Sequence, residues 1–238
     1  MPFAKTVLKM VPIDLQKSGA GGRPAVVHEE VYQRLRRAII AGQLEPGRSV
    51  SVRGLAAEFG VSAMPAREAI RQLAALGALE LTETRRVRVA RISEEKLREI
   101  ADARLALEPA LAVRALDAAD RKPGGWEKLA AKLASIDEAL DKAITRGDSA
   151  AYARHNSDFH FTLYLAAQSP VYLGLVESLW LQVGPFMRIV IGRLGTSSMV
   201  DQHQEAIRAV RAGDRQKLEA AIRDDIKEGM TWIADAGV

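Results

Sequence analysis

Apolar residues recur at helical spacing along most of the chain and give way to alternation only between residues 78 and 90. In 29–41, Val31, Leu35, Ile39 and Ile40 share one face, which predicts a helix ended by Gly42 and followed by a Pro46-Gly47 turn. The pattern repeats in short form over 52–59, where Leu55, Ala56 and Phe59 lie on one side. Ser51 is placed to cap that helix, and Gly60 suits the left-handed backbone of a tight turn. Val61 is expected to plug the turn into the core. A further helix begins behind Ser62 as its cap, carries Pro65 in its first turn, and turns Ala66, Ala69, Ile70, Leu73 and Leu76 inward until Gly77. Met64, Arg67, Glu68, Arg71 and Gln72 are left outside. Leu79, Leu81, Val87 and Val89 then alternate with polar residues, the period of a two-stranded wing.

Beyond Ile92 the strand period does not return. Ser93 followed by Glu94 and Glu95 signals a helix start. Helical stretches are expected at 94–119, 126–146, 148–167, 170–192, 198–212 and 214–235, separated by Gly- or Pro-containing breaks. Short connections between six helices imply an antiparallel bundle. The expected fold is mainly α, with three parts: a flexible arm over 1–26, a winged helix-turn-helix over 27–92 and a helical bundle over 93–238. The glycines at 19, 21 and 22 are not a phosphate loop, because no Lys-Ser/Thr follows them.

Charge sharpens this division. The net charge of +4 conceals a basic first part, 15 Lys/Arg against 8 Asp/Glu in 1–92, and an acidic second part, 19 against 22. That split suits a DNA-binding unit joined to a unit with another task. No run of 18 apolar residues indicates a membrane span, no secretory signal is evident, and the absence of cysteine fits the cytoplasm. Two helices joined by a short glycine turn, with a basic hairpin after them, can lay a helix in the major groove of double-stranded DNA. Arg67 and Arg71 project from one face of that helix, and arginine suits both guanine and phosphate. Arg85, Arg86 and Arg88 put positive charge on the wing.

The stretch LAAEFGVSAMPAREAIRQLAALGALEL, preceded by VYQRLRRAIIAGQLEPGRSV, resembles the DNA-binding domain of GntR-family bacterial transcription regulators. The resemblance implies that Arg53 and Arg67 contact the operator, with Ser62 and Met64 at the start of the recognition helix. It also implies a homodimer on a palindromic operator. Two positions depart from the family's pattern: Ala63 stands where arginine is usual and Arg86 where glycine is usual. Arg71 or Arg86 is left to supply the contact.

In the second part, Asn156 and His160 are one turn apart on one helix, His203 opens another and Asp225 lies on the last. Imidazole, carboxylate and amide oxygen make a reasonable shell for Zn²⁺, Mn²⁺ or Ni²⁺. DARLALEPALAVRAL, NSDFH and HQEAIRAVRAGD resemble the FCD effector domain of the FadR subfamily, in its shorter VanR-like form. The resemblance implies that Asn156, His160, His203 and Asp225 hold a divalent metal, with Asn156 where Asp is usual and Asp225 where His is usual. Arg104 matches the family's R-x-x-x-E and would clamp a small organic-acid effector, or else pair with Glu108 on the surface. Arg188 is either a snorkelling side chain or a second anion contact, and Tyr164 shares the His160 face. Trp126, Trp180 and Trp232 read as core or interface. The expected function is a ligand-responsive transcription regulator, most such proteins being repressors. The alternative is a metal-dependent hydrolase, but no G-x-S-x-G, H-E-x-x-H or dinucleotide fingerprint is present.

Overall fold

The computed structural model describes residues 24–81, 86–188 and 201–237. The expected arm and Arg85 therefore lie largely or wholly outside the described residues. The first unit runs α1 (Pro24–Ile40), β1 (Ser49–Val50), α2 (Val52–Phe59), α3 (Ala63–Ala75), β2 (Leu79–Leu81) and β3 (Val87–Val89). α1 starts earlier than the apolar pattern indicates, at Pro24, a residue preorganised for a helix's first turn. Ser51 caps α2 by accepting from the Gly54 amide at 2.9 Å, and Gly60 ends it at φ 65°. Ser62 occupies the cap position of α3, but its side chain makes no capping hydrogen bond. Leu35 and Ile39 of α1 pack with Ala66, Ala69 and Leu73 of α3 and with Leu79 and Val89 of the sheet.

Two expectations need correction here. Leu76 does not face inward: it is the residue after the last turn of α3, at φ −90° and ψ 5°, and is 36% exposed. The helical period stops one residue before it. The wing has three strands rather than two, in the order β1-β3-β2, all antiparallel. Ser49 pairs with Arg88 and Leu79 with Val89. A two-residue strand is too short to show any alternation in sequence.

The second unit comprises α4 (Glu94–Asp120), α5 (Gly125–Thr145), α6 (Ser149–Ala166), α7 (Pro170–Val183), α8 (Gln202–Ala212) and α9 (Arg215–Asp235). α4 packs along α9 and against α6 and α7, while α5 packs on α6 and α8. Pro109 stands inside α4, where its missing N–H leaves the Leu105 carbonyl without its helical donor. Arg223 of α9 donates to that carbonyl at 3.4 Å. Gly213 joins α8 to α9 at φ 65°, and a Cβ there would lie 2.3 Å from the Trp126 ring. The Trp126 indole N–H in turn donates to the Leu116 carbonyl at 3.2 Å.

α7 is shorter than its apolar run suggests. It ends at Val183 and passes into a 3-10 turn, Gly184–Phe186; Met187 and Arg188 are helical again, and the rest of the expected stretch to residue 192 lies outside the described residues. Pro185 cannot donate back into the helix. This turn meets the end of α1 so closely that a Cβ on Gly184 would lie 2.6 Å from the Ile40 carbonyl oxygen. Arg36 of α1, 6% exposed, forms an ion pair with Glu177 of α7 beside this contact. Among the described residues no helix is long and apolar enough to cross a membrane.

Candidate functional site

Inside the helical unit, α6, α8 and α9 bring three acceptor groups together. His160 Nε2 lies 3.2 Å from Asp225 Oδ2 and 3.4 Å from His203 Nε2, and His203 Nε2 lies 3.6 Å from Asp225 Oδ1. His160 and His203 are buried, whereas the Asp225 side chain keeps 25% of its surface exposed. These three form a group able to hold a metal ion.

The hydrogen bonds behind the imidazoles fix which nitrogen faces inward. Tyr164 gives its only hydroxyl proton to Glu108 Oε2 at 2.7 Å, so its oxygen accepts from His160 Nδ1 at 3.2 Å. Asp137 Oδ1 accepts from His203 Nδ1 at 3.0 Å. Both Nδ1 atoms therefore carry hydrogen, and in the neutral rings both Nε2 lone pairs point at one another and at the Asp225 carboxylate. Three acceptors at this spacing repel unless a positive charge sits among them. Two imidazole nitrogens and a carboxylate are a donor set that suits Zn²⁺, Mn²⁺ or Ni²⁺. Asp137 and Tyr164 play the orienting role that carboxylates and hydroxyls play behind metal-bound histidines. Phe159 stacks on the His203 ring with centroids 3.9 Å apart and planes at 9°, which holds the ring's tilt.

Without an ion, a proton on an imidazole is the other positive charge that can sit in the group. Burial pushes the Asp225 carboxyl up, but His160, His203 and Arg104 outweigh it and hold the group at about 2. For His203, burial favours the neutral ring, and the hydrogen bond it donates to Asp137 together with the charges of Asp225 and Asp137 more than offsets it, so its pKa is raised. Burial and Glu108 push the Tyr164 hydroxyl well above its usual range, so it stays a donor.

The group opens into a cavity of about 200 Å³, which Asn156, Met187, Tyr152 and Trp232 also line. One water takes about 10–15 Å³ by the same measure, so the cavity accepts a ligand on the order of a dozen heavy atoms. Asn156 is one turn before His160, and its Nδ2 lies 3.8 Å from Met187 Sδ.

Arg104 also lines the cavity, but its surroundings differ from both readings of the sequence. It pairs with Glu108 through Nε to Oε1 at 2.6 Å and Nη2 to Oε2 at 3.3 Å, and this pair is buried rather than on the surface. Its guanidinium also stands over the Trp180 ring, 4.7 Å from the centroid. Tyr164 is fully buried behind His160 and is not among the lining residues. Arg188 is not among them either: its Cγ lies beside Gly42, in the turn after α1. Sequence reasoning missed Asp137, which is 1% exposed. The signal was its position, on the inward face of α5 with Leu133 and Leu140.

On the first unit, Arg53, Ser62, Met64, Arg67 and Arg71 are all exposed, Met64 at 69%. Arg71 leans back along α3 and pairs with Glu68 through contacts of 2.6 and 3.0 Å. Arg86 is exposed where β3 begins, and Arg88 is tied to Glu80 across the sheet at 2.5 Å. Exposed arginines thus stand on α2, on α3 and at the start of β3.

Comparison with known proteins agrees with this division. The model for bacterial regulatory proteins of the gntR family matches residues 27–89, and the FCD domain model matches residues 99–228. The chain is 25% identical over 210 residues to the HTH-type transcriptional regulator McbR of Escherichia coli K12, covering 86% of this chain and 91% of that protein. It is 28% identical over 215 residues to the gluconate operon transcriptional repressor of Bacillus subtilis 168, covering 86% and 84%. The solved structure of E. coli McbR/YncC superposes with a TM-score of 0.76 at 21% identity, over 88% of this chain and 98% of that one. Taken with the winged helix-turn-helix and the helical unit behind it, these matches establish that the chain is a GntR-family transcription regulator of the FadR subfamily, with an FCD domain, and not an enzyme.

Proposed function

We propose that the chain is a cytoplasmic repressor that binds a palindromic operator as a homodimer and changes its affinity when a small organic acid enters the FCD cavity. Arg53, Ser62, Met64, Arg67 and Arg71 would meet the major groove, and Arg85 and Arg86 the adjoining backbone or minor groove. Repression is argued from relatives whose names carry it, among them the gluconate operon repressor. Two copies are argued from the exposed pair Val171 and Leu175, one turn apart on α7 at 74% and 50% exposure.

His160, His203 and Asp225 would hold a divalent ion, with the Asn156 amide oxygen as a further ligand. When bound, such an ion supplies a positive centre for an effector carboxylate. The chain's own residues then do the rest. Asp137 and Tyr164 keep the imidazole lone pairs aimed inward, and Glu108 neutralises Arg104. Arg104 is therefore better suited to buttress Trp180 than to clamp an acid by itself.

The observation that carries the reading is the continuity between the cavity and α1. Trp180 of α7 lies 5.1 Å from the His160 ring, ring centre to ring centre, and Glu177, one turn earlier on α7, is the partner of Arg36. Met187 lines the cavity just after the turn whose Gly184 touches Ile40. A ligand that favours one seating of α7 would bias how the DNA-binding unit is held. To test this, a preferred duplex is selected from a random pool and titrated by fluorescence anisotropy. Arg67→Ala is expected to weaken binding by about 1–3 kcal/mol, roughly fivefold to 150-fold, and to relax sequence preference. Equal binding by the wild type and Arg67→Ala would refute the assigned recognition surface.

A further inference from the structure

The charged residues lining the cavity are Arg104 against Asp137, Asp141, Asp201, Asp225 and Glu228. The inference that follows from this imbalance rests on the effector reading above. Arg104 already has a counter-ion in Glu108. Asp137 and Asp225 are engaged by His203 and His160. Asp141, Asp201 and Glu228 remain at the cavity wall. Asp201 accepts from the Gln204 amide at 3.1 Å and Glu228 from Gln202 Nε2 at 3.0 Å, both neutral donors. Among the described residues, none of the three has a Lys or Arg nitrogen within 4.0 Å.

Each of Asp141 and Glu228 has further carboxylates near it. Burial and then the charges of Asp137 and Asp201 raise the Asp141 pKa. Burial raises that of Glu228, with Gln202 opposing and Asp225 and Asp224 adding to the rise. A purely anionic effector would bring further negative charge into this wall. Trp232 lines the same cavity, and an indole face favours a neighbouring cation.

We infer that the effector is a zwitterion, an amino acid or short amino-carboxylate, whose carboxylate turns to the His160/His203/Asp225 group and whose ammonium faces Asp141, Asp201 and Glu228. A carboxylate alone satisfies one end of the cavity. At the other, the ammonium offsets the negative charge of the wall and donates to acceptors whose hydrogen-bond donors, the Gln204 amide and Gln202 Nε2, are neutral.

The test is calorimetric titration of the full chain loaded with Zn²⁺, using pairs matched in length: β-alanine with malonate, γ-aminobutyrate with succinate, and δ-aminovalerate with glutarate. The inference predicts that, at one length or more, the amino acid binds roughly tenfold tighter than its dicarboxylate partner. The double variant Asp201→Asn/Glu228→Gln should lose that preference while keeping its circular dichroism spectrum, since Asn also caps a helix start. The inference is overturned if the dicarboxylates bind as tightly at every length, if no amino acid binds in the millimolar range, or if the preference survives in the double variant. Zinc content measured on the same sample separates the two readings. A chain that takes up no zinc counts against the metal site itself, whereas a zinc-loaded chain preferring dicarboxylates counts only against the zwitterion.

Discussion

At the residue scale, the site depends on which proton each imidazole carries, and that is set by side chains that need never touch a ligand. Asp137 is the sharper case, because it is a buried carboxylate whose Oδ1 holds His203 Nδ1 at 3.0 Å while its other oxygen accepts from Gln204. Asp137→Asn is expected to lower Zn²⁺ affinity about 10–100-fold, the usual cost of losing such a partner. Competition with a chromophoric chelator measures it, and unchanged affinity would remove Asp137 from the site. Acid should release the metal as well. Ligand imidazoles must be neutral to bind, so protons compete with the ion for their nitrogens. Bound Zn²⁺ should therefore fall as pH drops below about 6, followed by dialysis and elemental analysis.

Element-scale behaviour turns on how closely α1 and the turn after α7 approach each other. Gly184→Ala would put a methyl group 2.6 Å from the Ile40 carbonyl oxygen and 2.8 Å from its Cα. Neither backbone can yield alone, so the variant is expected to cost about 1–3 kcal/mol in urea unfolding and to weaken the link between cavity and DNA affinity. Gly213→Ala is strained twice, by a left-handed φ of 65° and by the Trp126 ring at 2.3 Å. A loss of about 1–2 kcal/mol from the backbone alone is expected there, read as a lower thermal midpoint. These contacts were not legible in the sequence, because nothing local marks Gly184 as meeting residue 40. The helices themselves were legible, since apolar period, caps and glycine stops act within one turn. The break in α7 was not legible because its apolar run continues through Pro185, and Gly184 beside it is packed on residue 40 of another unit. Asp137 shows the converse: its charge on an apolar stripe was visible, but its partner 66 residues away was not.

For the whole molecule, the charge split along the chain matches a basic winged unit and an acidic cavity. Its surface also leaves Val171 and Leu175 uncovered on α7. If a second copy covers them, Leu175→Asp should shift sedimentation toward monomer and weaken operator binding, since one recognition helix would then act alone. A monodisperse dimer that persists in this variant would place the contact elsewhere. The helix-turn-helix was readable from sequence because its turn, cap and recognition helix are contiguous. The His160, His203 and Asp225 group was readable only as scattered residues, and its closing geometry depends on three helices packing together.

The most direct measurement is elemental analysis of untagged protein purified without chelator, for the wild type and His160→Ala. The account predicts about one divalent ion per chain in the wild type and its loss in the variant, with the circular dichroism spectrum retained. A wild-type chain that remains metal-free after incubation with Zn²⁺, Mn²⁺ and Ni²⁺, or a variant that keeps its ion, would contradict it.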